Sequence, residues 1–124
     1  MNEKMEVLFG AFIGIEDGKI AGFGEMRTTP IPEGCEIIDA EGAYVGPGLV
    51  DIHNHAGNGH WFFDEPIEAA QFNLQHGTTT ILACLYFNMN GQQLVEQIGC
   101  VQEAMKTPEG ASIAGFYMEC PYMN

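Results

Sequence analysis

The stretch "GLVDIHNHAG", residues 48–57, sets the reading of this chain. An apolar run opens after Pro47-Gly48 and ends in two histidines one residue apart, with glycine close on both sides. A continuous apolar run between breakers fits a strand buried on both faces. In a strand, residues i and i+2 point to the same side, so His53 and His55 share a face. Two imidazoles on one face can bind one divalent metal ion. The carboxyl end of a parallel strand is also where α/β enzymes place their chemistry. The plain alternative is a pair of polar residues at a strand end, each satisfied by hydrogen bonds.

Downstream, the pattern alternates. Asp64-Glu65-Pro66 starts a helix with an acidic cap and an early proline. "PIEAAQFNLQH" continues it with Ile67, Ala70, Phe72 and Leu74 on one broad apolar face, and Gly77 ends it with His76 at the negative end of the dipole. "TTTILACLYF" is rich in β-branched and apolar residues and predicts a second buried strand. Leu94, Ile98, Val101 and Met105 recur at helical spacing and predict an amphipathic helix, broken by Pro108 and Gly110. "SIAGFYME" predicts a third strand. The order β-α-β-α-β means parallel strands with helical crossovers. It predicts an α/β fold: about the first three strands and two helices of a (β/α)8 TIM-type barrel, which is an incomplete barrel.

Residues 1–46 have a different texture, glycine-rich with short apolar runs. Asp17-Gly18 between "AFIGI" and "KIAGFG" predicts a hairpin. "EIIDAEGAYV" predicts a strand, a turn at Glu41-Gly42 and a further strand. The expected organisation is a small, sandwich-like β module over 1–46, with the barrel portion over 47–124.

The totals narrow the function classes. The 124 residues carry 17 acidic and 4 basic side chains, a formal net charge of -13. Nucleic acid and anionic membrane surfaces call for a basic patch, so neither is an expected partner. No apolar run is long enough to span a bilayer, and the N-terminus lacks a signal-peptide core. Cys35, Cys84, Cys100 and Cys120 form no C-x-x-C pair or disulfide spacing. A cytoplasmic protein with reduced thiols is the expectation.

Further candidates flank the two histidines. Glu119, in "YMECP" at the end of the third strand, is costly in an apolar stretch unless paired or bound to metal. With parallel neighbouring strands it projects at the same rim as His53 and His55; the plain alternative is a solvated loop glutamate. Two histidines and a carboxylate suit zinc or iron. Asp51 faces the same way but deeper; it either orients a ligating histidine or bonds loop backbone. His60 lies in a glycine-rich loop, either reaching substrate or solvated. The aromatics of "WFFD" (residues 61–64) either wall a pocket or pack the loop onto the first helix. Cys120 is either a soft ligand or an inert thiol.

Taken together, "IIDAEGAYVGPGLVDIHNH" and the segments C-terminal to it resemble the amidohydrolase superfamily, with the resemblance running from Gly18 onward. Within it, "HAGNGHWFFD", "HGTTTILACL" and "GFYMECPYMN" look most like the N-acetylglucosamine-6-phosphate deacetylases. The resemblance implies metal ligation by Glu119, with His53 and His55 joining it, around one or two divalent ions. It implies hydrolysis of the acetamide of an amino-sugar phosphate. It also implies that further histidine ligands and an aspartate general base lie beyond Asn124, so no catalytic acid or base is assigned within the chain. Cys120 departs from the family, which has glycine there.

The resemblance leads to the expectation of an N-terminal fragment that is inactive alone and that self-associates, as a dimer or otherwise, through exposed barrel surfaces. A dihydroorotase-like or hydantoinase-like enzyme is the alternative, disfavoured by the lack of arginine shortly after His55. A non-catalytic metal-binding or structural module is the third reading.

Overall fold

The chain changes character at Pro47-Gly48. The computed structural model describes Lys4, residues 6–85 and residues 88–119. Two compact units form, Met1–Gly46 and Pro47–Asn124.

In the first unit, β1 (Ala11–Glu16) pairs antiparallel with β2 (Lys19–Glu25). Asp17 and Gly18 join them with φ of 51° and 71°. These are the left-handed angles of the tight hairpin turn that Asp-Gly favours. The strands expected around Glu41-Gly42 do not form. The turn itself does: Glu41 and Gly42 have φ of 51° and 80°, and Ala43 N donates to Ala40 O at 2.8 Å. No β-ladder joins its arms, and Ile38 and Tyr44 are 87% and 84% exposed. A turn reverses the chain, but strand pairing also needs side chains that bury one another. Among the described residues this unit is one hairpin with an extended segment, not a sandwich.

The second unit carries the core. In chain order it contains β3 (Leu49–Asn54), β4 (Ala56–Gly57), β5 (His60–Trp61), α1 (Pro66–Gln75), β6 (Thr78–Cys84), α2 (Gly91–Ala104) and β7 (Ile113–Tyr117). The three long strands form a parallel sheet in the order β3-β6-β7. The fold is α/β, with an arrangement compatible with part of a (β/α) barrel. Tyr86, Phe87 and the end of "GFYMECPYMN" from Cys120 lie outside the described residues.

Local chemistry explains the helices. Pro66 opens α1 behind the N-cap Glu65, yet the Glu65 side chain makes no capping bond. Its carboxylate is drawn instead to His60 Nδ1, 2.7 Å away. At the other end Gly77 takes φ of 91° and donates to Leu74 O. The His76 ring donates to Phe72 O at 2.7 Å, satisfying a terminal carbonyl. Helix α2 begins with a full capping box, in which Asn90 and Gln93 each bond the other's backbone N–H at 3.0 Å.

The core lies between sheet and helices. Ile81, Ala83 and Leu85 of and after β6 meet Ala69 and Ala70 of α1, Val101 and Ala104 of α2, Ile113 of β7 and the loop residue Phe62. Leu94, Ile98 and Met105 pack against this cluster, as the helical spacing predicts.

Strand β3 departs from expectation. It is an edge strand, and Leu49, Val50 and Ile52 are 64%, 66% and 61% exposed. Its apolar run has the composition of a doubly covered strand, but among the described residues only β6 pairs with it. Its start is held close to β6: a Cβ on Gly48 would overlap the Thr79 side chain.

Candidate metal centre

Sheet register assembles the site. Asn54 pairs with Ala83, and Cys84 pairs with Tyr117. One residue beyond Asn54, His55 therefore stands level with Cys84 and Tyr117, all at the carboxyl ends of their strands. Glu119 lies two residues past Tyr117 and shares its face.

The side chains converge. His55 Nε2 lies 3.0 Å from Glu119 Oε2, and His53 Nε2 lies 3.5 Å from the same oxygen. The two Nε2 atoms are 3.2 Å apart. Two imidazoles carry at most two Nε2 hydrogens, so three such contacts cannot all be hydrogen bonds. A dication satisfies all three at once. A tetrahedral ion with nitrogen and oxygen ligands at about 2.0–2.1 Å holds its donors about 3.3 Å apart. The observed spacing fits that demand, and the donor set fits a borderline ion. Side chains of His53, His55 and Glu119 remain 42%, 32% and 32% exposed, so water and a small molecule can reach them.

The surroundings hold the rings. Tyr117 stacks on His53 with centroids 4.5 Å apart. Trp61 meets His55 edge-on at 6.3 Å. Trp61 arrives there because Asn58 and Gly59, at φ of 52° and 88°, turn β4 into β5. The sequence signal for that small hairpin is Asn-Gly, within a stretch expected to be a loop. Gly57 lets this hairpin lie on α1: a Cβ there would sit 2.8 Å from Ala69 O and 2.9 Å from Asn73 and Phe72.

The other sequence candidates separate. Asp51 accepts from His53 N at 3.1 Å and from Asn54 Nδ2 at 2.8 Å, so it bonds backbone and a neighbour rather than an imidazole. Asn54 also donates to Asn73 Oδ1 and accepts from Ala56 N, tying the end of β3 to α1. His60 is paired with Glu65 and stands outside the cluster. The "WFFD" aromatics divide their work: Phe62 is fully buried in the core, while Trp61 faces His55. Cys120 lies outside the described residues.

Sequence reasoning missed Cys84. Its Sγ lies 3.9 Å from Glu119 Oε2, and ligand atoms of His53, His55, Cys84 and Glu119 all fall within 4.8 Å of one another. Burial, and next the Glu119 carboxylate, push the Cys84 thiol above its usual range. The signal was alternation: in "TILAC", Ile81 and Ala83 face the helices, which turns Cys84 to the other side. Among the described residues, His55 Nδ1 is buried with no hydrogen-bond partner.

The cluster lies at the carboxyl end of a parallel sheet, and its donor set could hold a divalent ion. The chain is 37% identical over 98 residues to an adenine deaminase of Bacillus subtilis, covering 77% of this chain and 15% of that protein. It is 44% identical over 52 residues to a dihydroorotase of Ruminiclostridium cellulolyticum, covering 42% and 12%. An imidazolonepropionase of Myxococcus xanthus is 43% identical over 49 residues, covering 37% and 12%. These relatives are all hydrolases of the amidohydrolase superfamily. The matched part is 12 to 15% of each relative's length. No family model and no solved structure matches. The narrower deacetylase resemblance gains no support from these relatives, among which adenine deaminase fits better. No helix among the described residues is long and apolar enough to cross a membrane.

Proposed function

We propose that this chain supplies the first metal ligands of a metal-dependent amidohydrolase. The observation that carries the reading is the triangle of His53 Nε2, His55 Nε2 and Glu119 Oε2, with sides of 3.0 to 3.5 Å. In it, His53 and His55 each present an imidazole nitrogen and Glu119 a carboxyl oxygen. A bound zinc or iron ion supplies polarisation of the scissile group and a water of lowered pKa. Tyr117 and Trp61 hold the two imidazoles in place and wall the site. Asp51 is engaged by His53 N and Asn54, and among the described residues the cluster contains no carboxylate besides Glu119. The proton-transferring group of the reaction is therefore not assigned to any described residue.

Two substrates fit hydrolysis of an exocyclic C–N bond. Adenine deamination is favoured by the similarity to adenine deaminases. Deacetylation of N-acetylglucosamine 6-phosphate is favoured by the resemblance of "GFYMECPYMN", in which Glu119 falls at the ligand position. The gene product carrying this sequence, loaded with zinc, should release ammonia from adenine or acetate from the amino-sugar phosphate. Release of neither, with zinc bound at His53 and His55, contradicts the substrate readings. Absence of zinc binding contradicts the reading as a whole.

A further inference from the structure

We propose that Cys84 is a fourth, sulfur ligand of this centre, giving a site of two histidines, one glutamate and one thiolate. The inference rests on the metal-centre reading and adds a ligand that the sequence patterns do not assign. Cys84 ends the central strand of the sheet, between the strand that carries His53 and His55 and the strand that leads to Glu119. A ligand from the middle strand closes the gap between the two outer contributions. The residue is fully buried, and its Sγ is directed at the Glu119 carboxylate, 3.9 Å from Oε2. All four donor atoms lie within 4.8 Å of one another.

A tetrahedral zinc would hold a thiolate about 3.6 Å from its nitrogen and oxygen co-ligands, so Cys84 Sγ, 3.9 Å from Glu119 Oε2, has to close in by a few tenths of an ångström. Sulfur binds zinc at about 2.3 Å, against about 2.0–2.1 Å for nitrogen and oxygen, so a sulfur donor stands farther from its co-ligands than they stand from each other. The three nitrogen and oxygen atoms are separated by 3.0 to 3.5 Å, and sulfur is the outlying donor. Without an ion, the thiol's hydrogen bonds are weak, to Leu85 O and Glu119 Oε2, each at 3.9 Å. When the ion binds, the thiol gives its proton to solvent and the thiolate takes the metal. A thiolate selects zinc or cobalt over magnesium or manganese.

Two measurements test the assignment. In zinc-loaded protein, X-ray absorption at the zinc edge should show one sulfur per zinc at about 2.3 Å. This needs no variant, so folding of a substituted core does not enter. In cobalt-loaded protein carrying Cys35→Ser, Cys100→Ser and Cys120→Ser, a thiolate-to-cobalt band should persist in the near ultraviolet. Adding Cys84→Ser should abolish that band while cobalt still binds. A zinc shell of nitrogen and oxygen only overturns the proposal and leaves the three-ligand centre standing. Absence of the band from the Cys35→Ser, Cys100→Ser, Cys120→Ser protein, while cobalt still binds, does the same. Failure of the unsubstituted protein to bind either ion overturns both.

Discussion

His55 Nε2 and Glu119 Oε2 meet at 3.0 Å although they lie just past the two outer strands of the sheet. The central strand β6 sets that meeting, because its register with β3 and with β7 fixes how far each chain runs past the rim. Residues that support this pair should therefore govern both stability and metal affinity.

Gly57, two residues after His55, is one support. Gly57→Ala would force a methyl to within 2.8 Å of Ala69 O and 2.9 Å of Asn73 and Phe72. Backbone and a helix face cannot yield cheaply, so destabilisation of about 1–3 kcal/mol is expected, with weakened zinc binding. Urea unfolding and calorimetry on the same variant check both effects. Unchanged stability would show that the β4–β5 hairpin does not rest on α1.

The Asn54 amide is the second support. It links Asp51, Asn73 and Ala56 N by bonds of 2.8, 3.1 and 3.2 Å. Asn54→Ala leaves these partners unsatisfied and frees the turn that carries His55. We expect a loss of roughly 10- to 100-fold in zinc affinity, the range for groups that orient ligands. Competition with a chelating dye measures it.

The Asn90 cap provides a control remote from the ligands. Asn90→Ala removes one half of the capping box of α2 and should cost about 1 kcal/mol. Thermal unfolding should shift while zinc affinity stays unchanged. A parallel loss of zinc binding would mean that the site reports global stability rather than local geometry.

The open side of the sheet predicts association. Leu49, Val50 and Ile52 present exposed apolar surface on an edge strand, the arrangement that pairs with another chain. The 124-residue chain should sediment as a concentration-dependent mixture of monomer and larger species, and Ile52→Lys should shift it toward monomer. A monomer at every concentration would contradict this.

The sequence made some features readable and hid others for physical reasons. Apolar and β-branched runs between breakers announced β3, β6 and β7, and apolar residues at helical spacing announced both crossover helices. His53 and His55 stood out because their spacing matches the strand repeat, and Glu119 because a carboxylate in an apolar stretch demands a partner. Cys84 stayed hidden because a buried cysteine has the composition of core; only register with both neighbours brings it to the rim. The strands around Glu41-Gly42 were over-read, since a good turn signal carries no information on whether its arms find anything to bury. The exposure of β3 was equally unreadable, because Leu49, Val50 and Ile52 specify apolar positions and not what covers them.

The proposed function requires that His53, His55 and Glu119 form one metal-binding centre. Calorimetric titration of the purified chain with zinc tests it most directly. Saturable binding to the unsubstituted chain is predicted, weakened more than about 100-fold by His53→Ala, His55→Ala or Glu119→Ala separately, since a lost ligand should cost more than a lost orienting group. Zinc binding unaffected by all three substitutions, or no binding at all, would contradict it.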